Sequence, residues 1–128
     1  MLDAVTDTHA LIWYLEDSSR LGDVANQTFA ACERGEIVIY VPTICLVEIV
    51  YLQEKNRIPA DLKVRLNAGL QLVIADLTAE IVEVMATIPR SIVPDMPDRI
   101  IAATATHLGL PLISRDRRIQ LSAVNTIW

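Results

Sequence analysis

The sequence has 128 residues and a mass of 14.2 kDa, which predicts one folded domain spanning residues 1–128. With 52% hydrophobic and 21% charged residues, the chain is too apolar for a disordered segment, and its apolar runs are shorter than the roughly 18 residues of a membrane span. A net charge of −5 argues against a protein that binds nucleic acid through a broadly basic surface.

Short apolar runs alternate with segments of helical length along the chain. Strands are predicted at residues 2–6, 37–41, 70–75, 110–114 and 124–128, and helices at 8–16, 20–34, 43–55, 60–69, 78–87 and 98–109. Thr43 and Thr78 are good N-caps, whereas Gly35 and Gly109 are typical residues at a helix end. Strands that alternate with helices predict an α/β sandwich with a mostly parallel sheet.

The two cysteines are not spaced for a metal site or a redox pair. Cys32 and Cys45 form no C-x-x-C motif, and Cys45 lies in the apolar run ICLV. We therefore expect both to be reduced core residues of a cytoplasmic protein. The first residues, MLDAVTD, lack the basic and apolar regions of a secretory signal.

The charges are unevenly distributed along the chain. Residues 1–88 contain six Lys or Arg against thirteen Asp or Glu, whereas residues 89–128 contain five Arg against three Asp. Arginine is the side chain best suited to hold a phosphate through two parallel hydrogen bonds. Two interpretations of the arginine-rich part stay open: a solvated face, or an approach for phosphate groups.

Three aspartates stand where a strand or loop passes into a helix. Asp7 and Asp116 follow predicted strands, and the carboxyl ends of strands in an open α/β sheet border the functional crevice. Asp98 follows a loop with three prolines. Aspartate is also a favoured N-cap, so capping is an alternative for each of the three. Asp95 illustrates this alternative, because it can cap the helix whose first turn contains Asp98.

Glu48 is the single charge in the run ICLVEIVYL. Its neighbours at helical spacing are apolar, and burying an unpaired carboxylate costs several kcal/mol. Clustering with other acids raises this cost unless a divalent cation lies among them. Oxygen donors without a Cys/His set suit Mg²⁺ or Mn²⁺ better than zinc, and a purely structural role for these acids stays open. The candidate ligands are Asp7, Glu48, Asp98 and Asp116.

Four motifs occur in an order that resembles one family. They are DTHALIW after the first strand, VEI in a mid-chain helix, then DMPDRIIAATA and ISRD. From Asp7 to Asp116, the chain resembles the PIN-domain ribonucleases, and in particular the VapC-type toxins of bacterial toxin–antitoxin modules. The resemblance implies a three-layer α/β/α PIN-like domain with a mostly parallel central sheet and the four acids gathered at one end of it.

The resemblance also implies residue roles. The four acids are the catalytic and metal-binding set, and Asp95 and Ser114 support them. The implied activity is a Mg²⁺- or Mn²⁺-dependent endoribonuclease that hydrolyses RNA phosphodiester bonds and leaves a 5′-phosphate and a 3′-hydroxyl. Met96 follows Asp95 and displaces Pro97 by one position relative to the family pattern, so the local loop can differ.

The implied partners are an RNA substrate and a cognate antitoxin. Arg99 and Arg115 are candidate contacts to RNA phosphate. Trp13 and Tyr14 lie in the apolar run ALIWYL, which indicates core burial or a groove that receives the antitoxin. The resemblance further implies a homodimer or a larger toxin–antitoxin assembly. The cysteines predict a cytoplasmic location, and the short apolar runs predict no membrane association.

One alternative keeps the fold and loses the activity: a catalytically inactive PIN-like module that binds RNA or protein. A receiver domain is disfavoured because Thr8, rather than a second acid, follows Asp7, and because no lysine follows Lys63. The chain has no glycine-rich phosphate-binding motif, which excludes P-loop and dinucleotide-binding enzymes.

Overall fold

The structure is a computed structural model that describes residues 1–62, 65 and 72–128. Its strands are β1 (Ala4–Thr6), β2 (Ile39–Pro42), β3 (Leu72–Ala75), β4 (Leu112–Ile113) and β5 (Thr126–Ile127). Its helices are α1 (Thr8–Leu15), α2 (Asp23–Glu33), α3 (Thr43–Glu54), α4 (Ala79–Thr87), α5 (Met96–Leu108) and α6 (Arg117–Gln120). The predicted helix at 60–69 and the start of the predicted strand at 70–75 fall mostly outside the described residues.

The five strands form one parallel sheet in the order β3-β2-β1-β4-β5. The central strand β1 pairs with β2 on one side and with β4 on the other, so that Val5 lies opposite both Tyr40 and Leu112. The strand order therefore changes direction at β1, and ligands of open parallel sheets bind beyond the carboxyl ends of the strands at such a point. The predicted mostly parallel sheet is confirmed.

Helices cover both faces of the sheet. All three residues of β1 are fully buried, although consecutive strand residues point to opposite faces. The core around them contains fully or almost fully buried side chains from α1, α2, α3 and α5, namely Leu11, Phe29, Ile49 and Ile101. Burying each of these side chains contributes roughly 1.5–3 kcal/mol to stability. The three-layer α/β/α arrangement expected from the sequence is confirmed.

The predicted cap of α3 is wrong. Pro42 occupies the N-cap position, and Thr43 is the first helical residue. The hydroxyl of Thr43 instead donates a 3.2 Å hydrogen bond to the carbonyl of Ala75, at the end of β3. A contact between distant parts of the chain has replaced the local cap.

Other helix ends follow local rules. Thr78 caps α4 by accepting a hydrogen bond from the amide of Ile81, as predicted. Gly109 ends α5 in the left-handed conformation with a φ of 66°, which glycine adopts without steric cost. Helix α2 begins at Asp23, three residues later than the sequence predicted, because Gly22 is its extended N-cap.

Two further expectations concern the core and membranes. Cys32 and Cys45 are both buried in the core, as predicted. Within the part of the chain that the structure describes, no helix combines the length and the apolar character needed to cross a bilayer.

Candidate active site

An open cleft lies beyond the carboxyl ends of β1 and β4. It has a volume of about 260 Å³, and its walls include the predicted acids Asp7, Asp98 and Asp116. Asp7 directly follows β1, Asp116 lies in the loop after β4, and Asp98 lies in the first turn of α5. The sheet topology thus brings together three acids that are far apart in the sequence. The other lining residues are His9, Trp13, Arg115 and Trp128.

Asp7 is both a helix cap and part of the cleft wall. Its Oδ1 accepts a 2.8 Å hydrogen bond from the amide of Ala10 at the start of α1, and its side chain also hydrogen-bonds Ser114. Only 8% of Asp7 is exposed. Burial raises the pKa of Asp7, and it outweighs the lowering by the two hydrogen bonds. The capping and site interpretations, which the sequence left as alternatives, are therefore compatible.

The pKa of Asp98 is raised by burial and also by the neighbouring carboxylates. Burial, the largest cause, and repulsion from the nearby carboxylates together raise its pKa from 3.8 to about 7; these carboxylates are Asp95, Asp116, Glu48 and Asp7. The Oδ1 of Asp95 accepts a 3.0 Å hydrogen bond from the amide of Asp98, so Asp95 also caps α5. The four predicted ligands and Asp95 are thus within electrostatic reach of one another.

Glu48 joins this group from α3. The hydroxyl of Thr8 donates a 2.6 Å hydrogen bond to Oε1 of Glu48. The two ion pairs found among the described residues lie elsewhere, on the exposed surface. Glu48, which the sequence indicated to be poorly paired, therefore has a hydroxyl donor and no ion-pair partner in the described part of the chain.

Ser114 links two of the acids. Its buried hydroxyl accepts a 3.1 Å hydrogen bond from the amide of Asp116 and also contacts the side chain of Asp7. The Oδ1 of Asp116 accepts hydrogen bonds from the amides of Arg118 and Ile119, which caps α6. Ser114 therefore holds the end of β1 next to the loop after β4.

Arg99 does not line the cleft. Its Nη2 donates 3.0 Å hydrogen bonds to the carbonyls of Met85 and Ile88 at the end of α4. Its Nε is buried and has no hydrogen-bond partner among the residues that the structure describes. Nη2 of Arg99 thus joins α5 to the end of α4, and the RNA-phosphate contact of Arg99 stays a prediction.

Arg115 lies in the cleft wall, as a phosphate contact would require. Its guanidinium carbon is 4.3 Å from the ring centre of Trp13 and 5.9 Å from that of Trp128. Sequence reasoning missed Trp128 altogether, because a tryptophan after a short apolar strand carries no local signal that it will meet Trp13.

Trp13 and Tyr14 are adjacent in sequence but have different surroundings. Trp13 lines the acidic cleft and is 8% exposed. Tyr14 stacks on the ring of Phe29 with 4.3 Å between ring centres, and its hydroxyl donates a hydrogen bond to Glu33. The two residues therefore make separate contacts, and the antitoxin groove predicted for them stays a prediction.

A second groove, with a volume of about 450 Å³, has Glu48 in its wall. Its walls are mainly apolar, and Val47, Tyr51 and Met96 expose 55%, 59% and 62% of their surfaces. Exposed apolar patches of this kind mark interaction surfaces more often than isolated exposed residues do. The sequence signal was the apolar character of the run ICLVEIVYL on every side of the helix. The lining residues are His9, Ile44, Val47, Glu48, Tyr51, Leu52, Met96 and Pro97.

The donor set of the acidic cluster suits a hard divalent cation. Carboxylate oxygens are the preferred protein ligands of Mg²⁺ and Mn²⁺. Among the described residues, no three Asp, Glu, His or Cys side chains are already drawn together into a metal-binding group. The repulsion that raises the pKa of Asp98 acts to keep the carboxylates apart, and a bound cation would remove it.

Known proteins with similar sequences and folds provide independent information. The profile of the family described as PIN domain matches residues 4–125. The chain is 26% identical over 125 residues to "Ribonuclease VapC22" from Mycobacterium tuberculosis. The aligned residues cover 94% of this chain and 92% of that protein.

Two solved structures share the fold. One, VapBC2 from Rickettsia felis bound to a DNA fragment from its promoter, has a TM-score of 0.75 and 15% identity over 99% of this chain and 98% of that chain. The other, a toxin–antitoxin complex from Klebsiella pneumoniae, has a TM-score of 0.68 and 22% identity over 98% and 96%. Because the family profile spans nearly the whole sequence and the folds agree, this chain belongs to the PIN domain family.

Proposed function

We propose that this protein is a Mg²⁺- or Mn²⁺-dependent endoribonuclease that acts as the toxin of a toxin–antitoxin pair. The observation that carries the proposal is the convergence of Asp7, Asp98 and Asp116 in one cleft, with Glu48 within electrostatic reach. Membership of the PIN domain family and the similarity to a ribonuclease support the reaction class.

The four acids are the proposed metal ligands and catalytic residues. A bound divalent ion would neutralise charge on the phosphate and make the attacking water more acidic. Without neutralisation, the carboxylates of Asp7, Asp98 and Asp116 repel an RNA phosphate from the cleft that they line. RNA cleavage is therefore expected to require the metal, and its products are a 5′-phosphate and a 3′-hydroxyl.

Asp95 and Ser114 are proposed to support these ligands. Asp95 fixes the first turn of α5 through the amide of Asp98, and Ser114 joins Asp116 to Asp7. Neither residue needs to touch the substrate for this role. Each restricts the backbone that presents a carboxylate to the cleft.

The partners that we propose are RNA and an antitoxin, for a protein that works in the cytoplasm as a homodimer or a larger assembly. The apolar groove beside Glu48 supports a protein partner, because Val47, Tyr51 and Met96 leave more than half of their surfaces exposed there. Coexpression with the protein encoded by the neighbouring reading frame, followed by co-purification and measurement of RNA cleavage, tests the antitoxin part of the proposal.

The activity is tested on purified protein with a panel of tRNA, rRNA and mRNA, in Mg²⁺ or Mn²⁺ and in EDTA. We expect metal-dependent cleavage by the wild type and none by Asp7→Asn or Asp98→Asn. The matched control is Asp76→Asn, because Asp76 is an exposed acid that follows β3 outside the cleft. Circular dichroism and thermal unfolding establish that the variants are folded.

The rival function is a PIN-like binding module without activity. If the wild type and both cleft variants are equally inactive on every RNA with metal present, while the coexpressed partner still binds, the ribonuclease proposal is wrong. Cleavage that survives in Asp7→Asn or Asp98→Asn at the wild-type rate would instead show that these acids are not the catalytic set.

A further inference from the structure

Both tryptophans of the chain lie at the acidic cleft together with Arg115. The guanidinium carbon of Arg115 lies 4.3 Å from the ring centre of Trp13 and 5.9 Å from that of Trp128. The two indole rings are 5.8 Å apart and meet edge to face at 75°. Trp13, Arg115 and Trp128 form one contiguous cluster, the Trp–Arg stack.

The hydrogen-bond donors of Arg115 are available. The residue is exposed, and within the described residues its side chain makes no hydrogen bond and no ion pair. This holds although Asp7, Asp98 and Asp116 line the same cleft. The guanidinium carbon lies over the ring of Trp13, and no N–H group of the guanidinium is hydrogen-bonded within the described residues. A planar guanidinium held in one orientation is suited to bind a phosphate through two parallel hydrogen bonds.

Trp128 is itself held in place by the fold. Its carbonyl accepts a 3.2 Å hydrogen bond from the amide of Val24. Its ring packs so closely on Gly22 that a Cβ there would come within 2.4 Å of its Cδ1. The aromatic part of the Trp–Arg stack is therefore anchored to the start of α2 before any ligand binds, which lowers the entropy lost on binding.

We infer that the Trp–Arg stack is a phosphate subsite for RNA, in which Arg115 binds the phosphate next to the scissile one. Trp13 and Trp128 are positioning residues that hold the guanidinium. The inference rests on the proposed ribonuclease function, in which the carboxylates and their metal bind the scissile phosphate. Arg115 then binds the adjacent phosphate. The acidic cleft then gains affinity for RNA from a single oriented arginine, without a basic surface.

The test measures binding of a single-stranded uridine octamer in Ca²⁺, with the absence of cleavage checked on a gel. Both tryptophans of the chain lie in the Trp–Arg stack, so intrinsic fluorescence reports binding there without a label. We expect Arg115→Gln to weaken binding about 10-fold. We also expect the slope of log affinity against log salt to fall by about 0.7, the value for one phosphate contact to a single strand.

Two further variants separate charge from orientation. Arg115→Lys keeps the charge but loses the planar fork, so we expect the salt slope to recover while the affinity stays several-fold weaker. The matched control is Arg20→Gln. The guanidinium carbon of Arg20 lies 6.0 Å from the ring centre of Trp13, but Arg20 is not one of the residues that line the cleft. This variant removes the same charge, and we expect no more than a twofold change in affinity.

A double-mutant cycle tests the positioning role of Trp128. We expect Trp128→Phe to weaken octamer binding in the wild-type background and to have no effect in the Arg115→Gln background, whereas a purely structural role would weaken both. The subsite is wrong if Arg115→Gln keeps the wild-type affinity and salt slope in a protein that still cleaves RNA. A wild type that neither binds the octamer nor cleaves any RNA overturns the proposed function as well.

Discussion

The hydroxyl of Thr8 donates a 2.6 Å hydrogen bond to Oε1 of Glu48 and so joins the first turn of α1 to the middle of α3. Thr8 immediately follows Asp7, so one turn both presents an acid to the cleft and orients a second acid from another helix. Thr8 is almost completely buried. The position of Glu48 therefore depends on a contact between helices as well as on its own helix.

Replacing Thr8 tests whether this contact prepares Glu48 as a metal ligand. We expect Thr8→Val to weaken Mn²⁺ binding about 10-fold, because groups that orient metal ligands typically contribute at least that much. Thr8→Ser keeps the hydroxyl and is expected to bind Mn²⁺ like the wild type. Isothermal titration calorimetry with metal-free protein gives both affinities. Equal affinities for wild type and Thr8→Val would show that the hydrogen bond does not orient Glu48.

The raised pKa of Asp98 predicts how stability depends on pH without metal. Its pKa is about 7 in the fold against 3.8 ordinarily, so between these values the folded state binds a proton that the unfolded state has lost. The stability from this group is therefore fully present below about pH 4 and is lost as pH rises through 7.

Asp98→Asn removes this titration and isolates its effect. The quantity to follow is the free energy of unfolding of the wild type minus that of Asp98→Asn. We expect this difference to be smaller at pH 8 than at pH 5 when both proteins are measured in EDTA. Urea unfolding at both pH values measures the difference, in which the other titrating groups largely cancel. A difference that stays constant with pH would contradict the raised pKa.

Arg99 is expected to contribute to stability and not to RNA binding. Arg99→Met removes two hydrogen bonds to the carbonyls of Met85 and Ile88, so we expect a loss of about 1–3 kcal/mol in urea unfolding. Arg90→Met, at an exposed position in the preceding loop, is the control and is expected to change stability by less than about 0.5 kcal/mol. If Arg99→Met is stably folded and still binds RNA more weakly than the wild type, this expectation is wrong and Arg99 contacts RNA phosphate.

Gly22 is expected to be required because of Trp128. A Cβ at Gly22 would come within 2.7 Å of the Trp128 carbonyl carbon, so Gly22→Ala is expected to cost about 1–3 kcal/mol and to shift the tryptophan emission. The control is Gly109→Ala, where a Cβ meets nothing within 4 Å but the φ of 66° disfavours alanine. We expect it to cost about 1 kcal/mol and to leave the emission unchanged. Unchanged emission in Gly22→Ala would contradict the packing of Trp128.

Local interactions explain which parts of the fold were predictable. The caps by Thr78 and Asp95 join residues three positions apart, so their hydrogen bonds follow from the sequence alone. Thr43 has the same capping chemistry but bonds Ala75 on a distant strand, and the local rule failed there. The metal-binding role of the acids stays a prediction, although the meeting of Asp7 and Asp116 was foreseeable because both follow parallel strands.

The sequence by itself determined the α/β class, because strands that alternate with helices indicate a mostly parallel sheet, and it predicted that Asp7 and Asp116 border one crevice because both follow strands. Only the tertiary structure decided what the arginines do. Arg99 and Arg115 each lie beside a predicted ligand acid in the sequence, yet Arg99 binds carbonyls of α4 while Arg115 stacks on Trp13. Nor did the sequence place Trp128 beside Trp13. The direction of a long side chain depends on the elements packed around it, and those contacts come from distant parts of the chain.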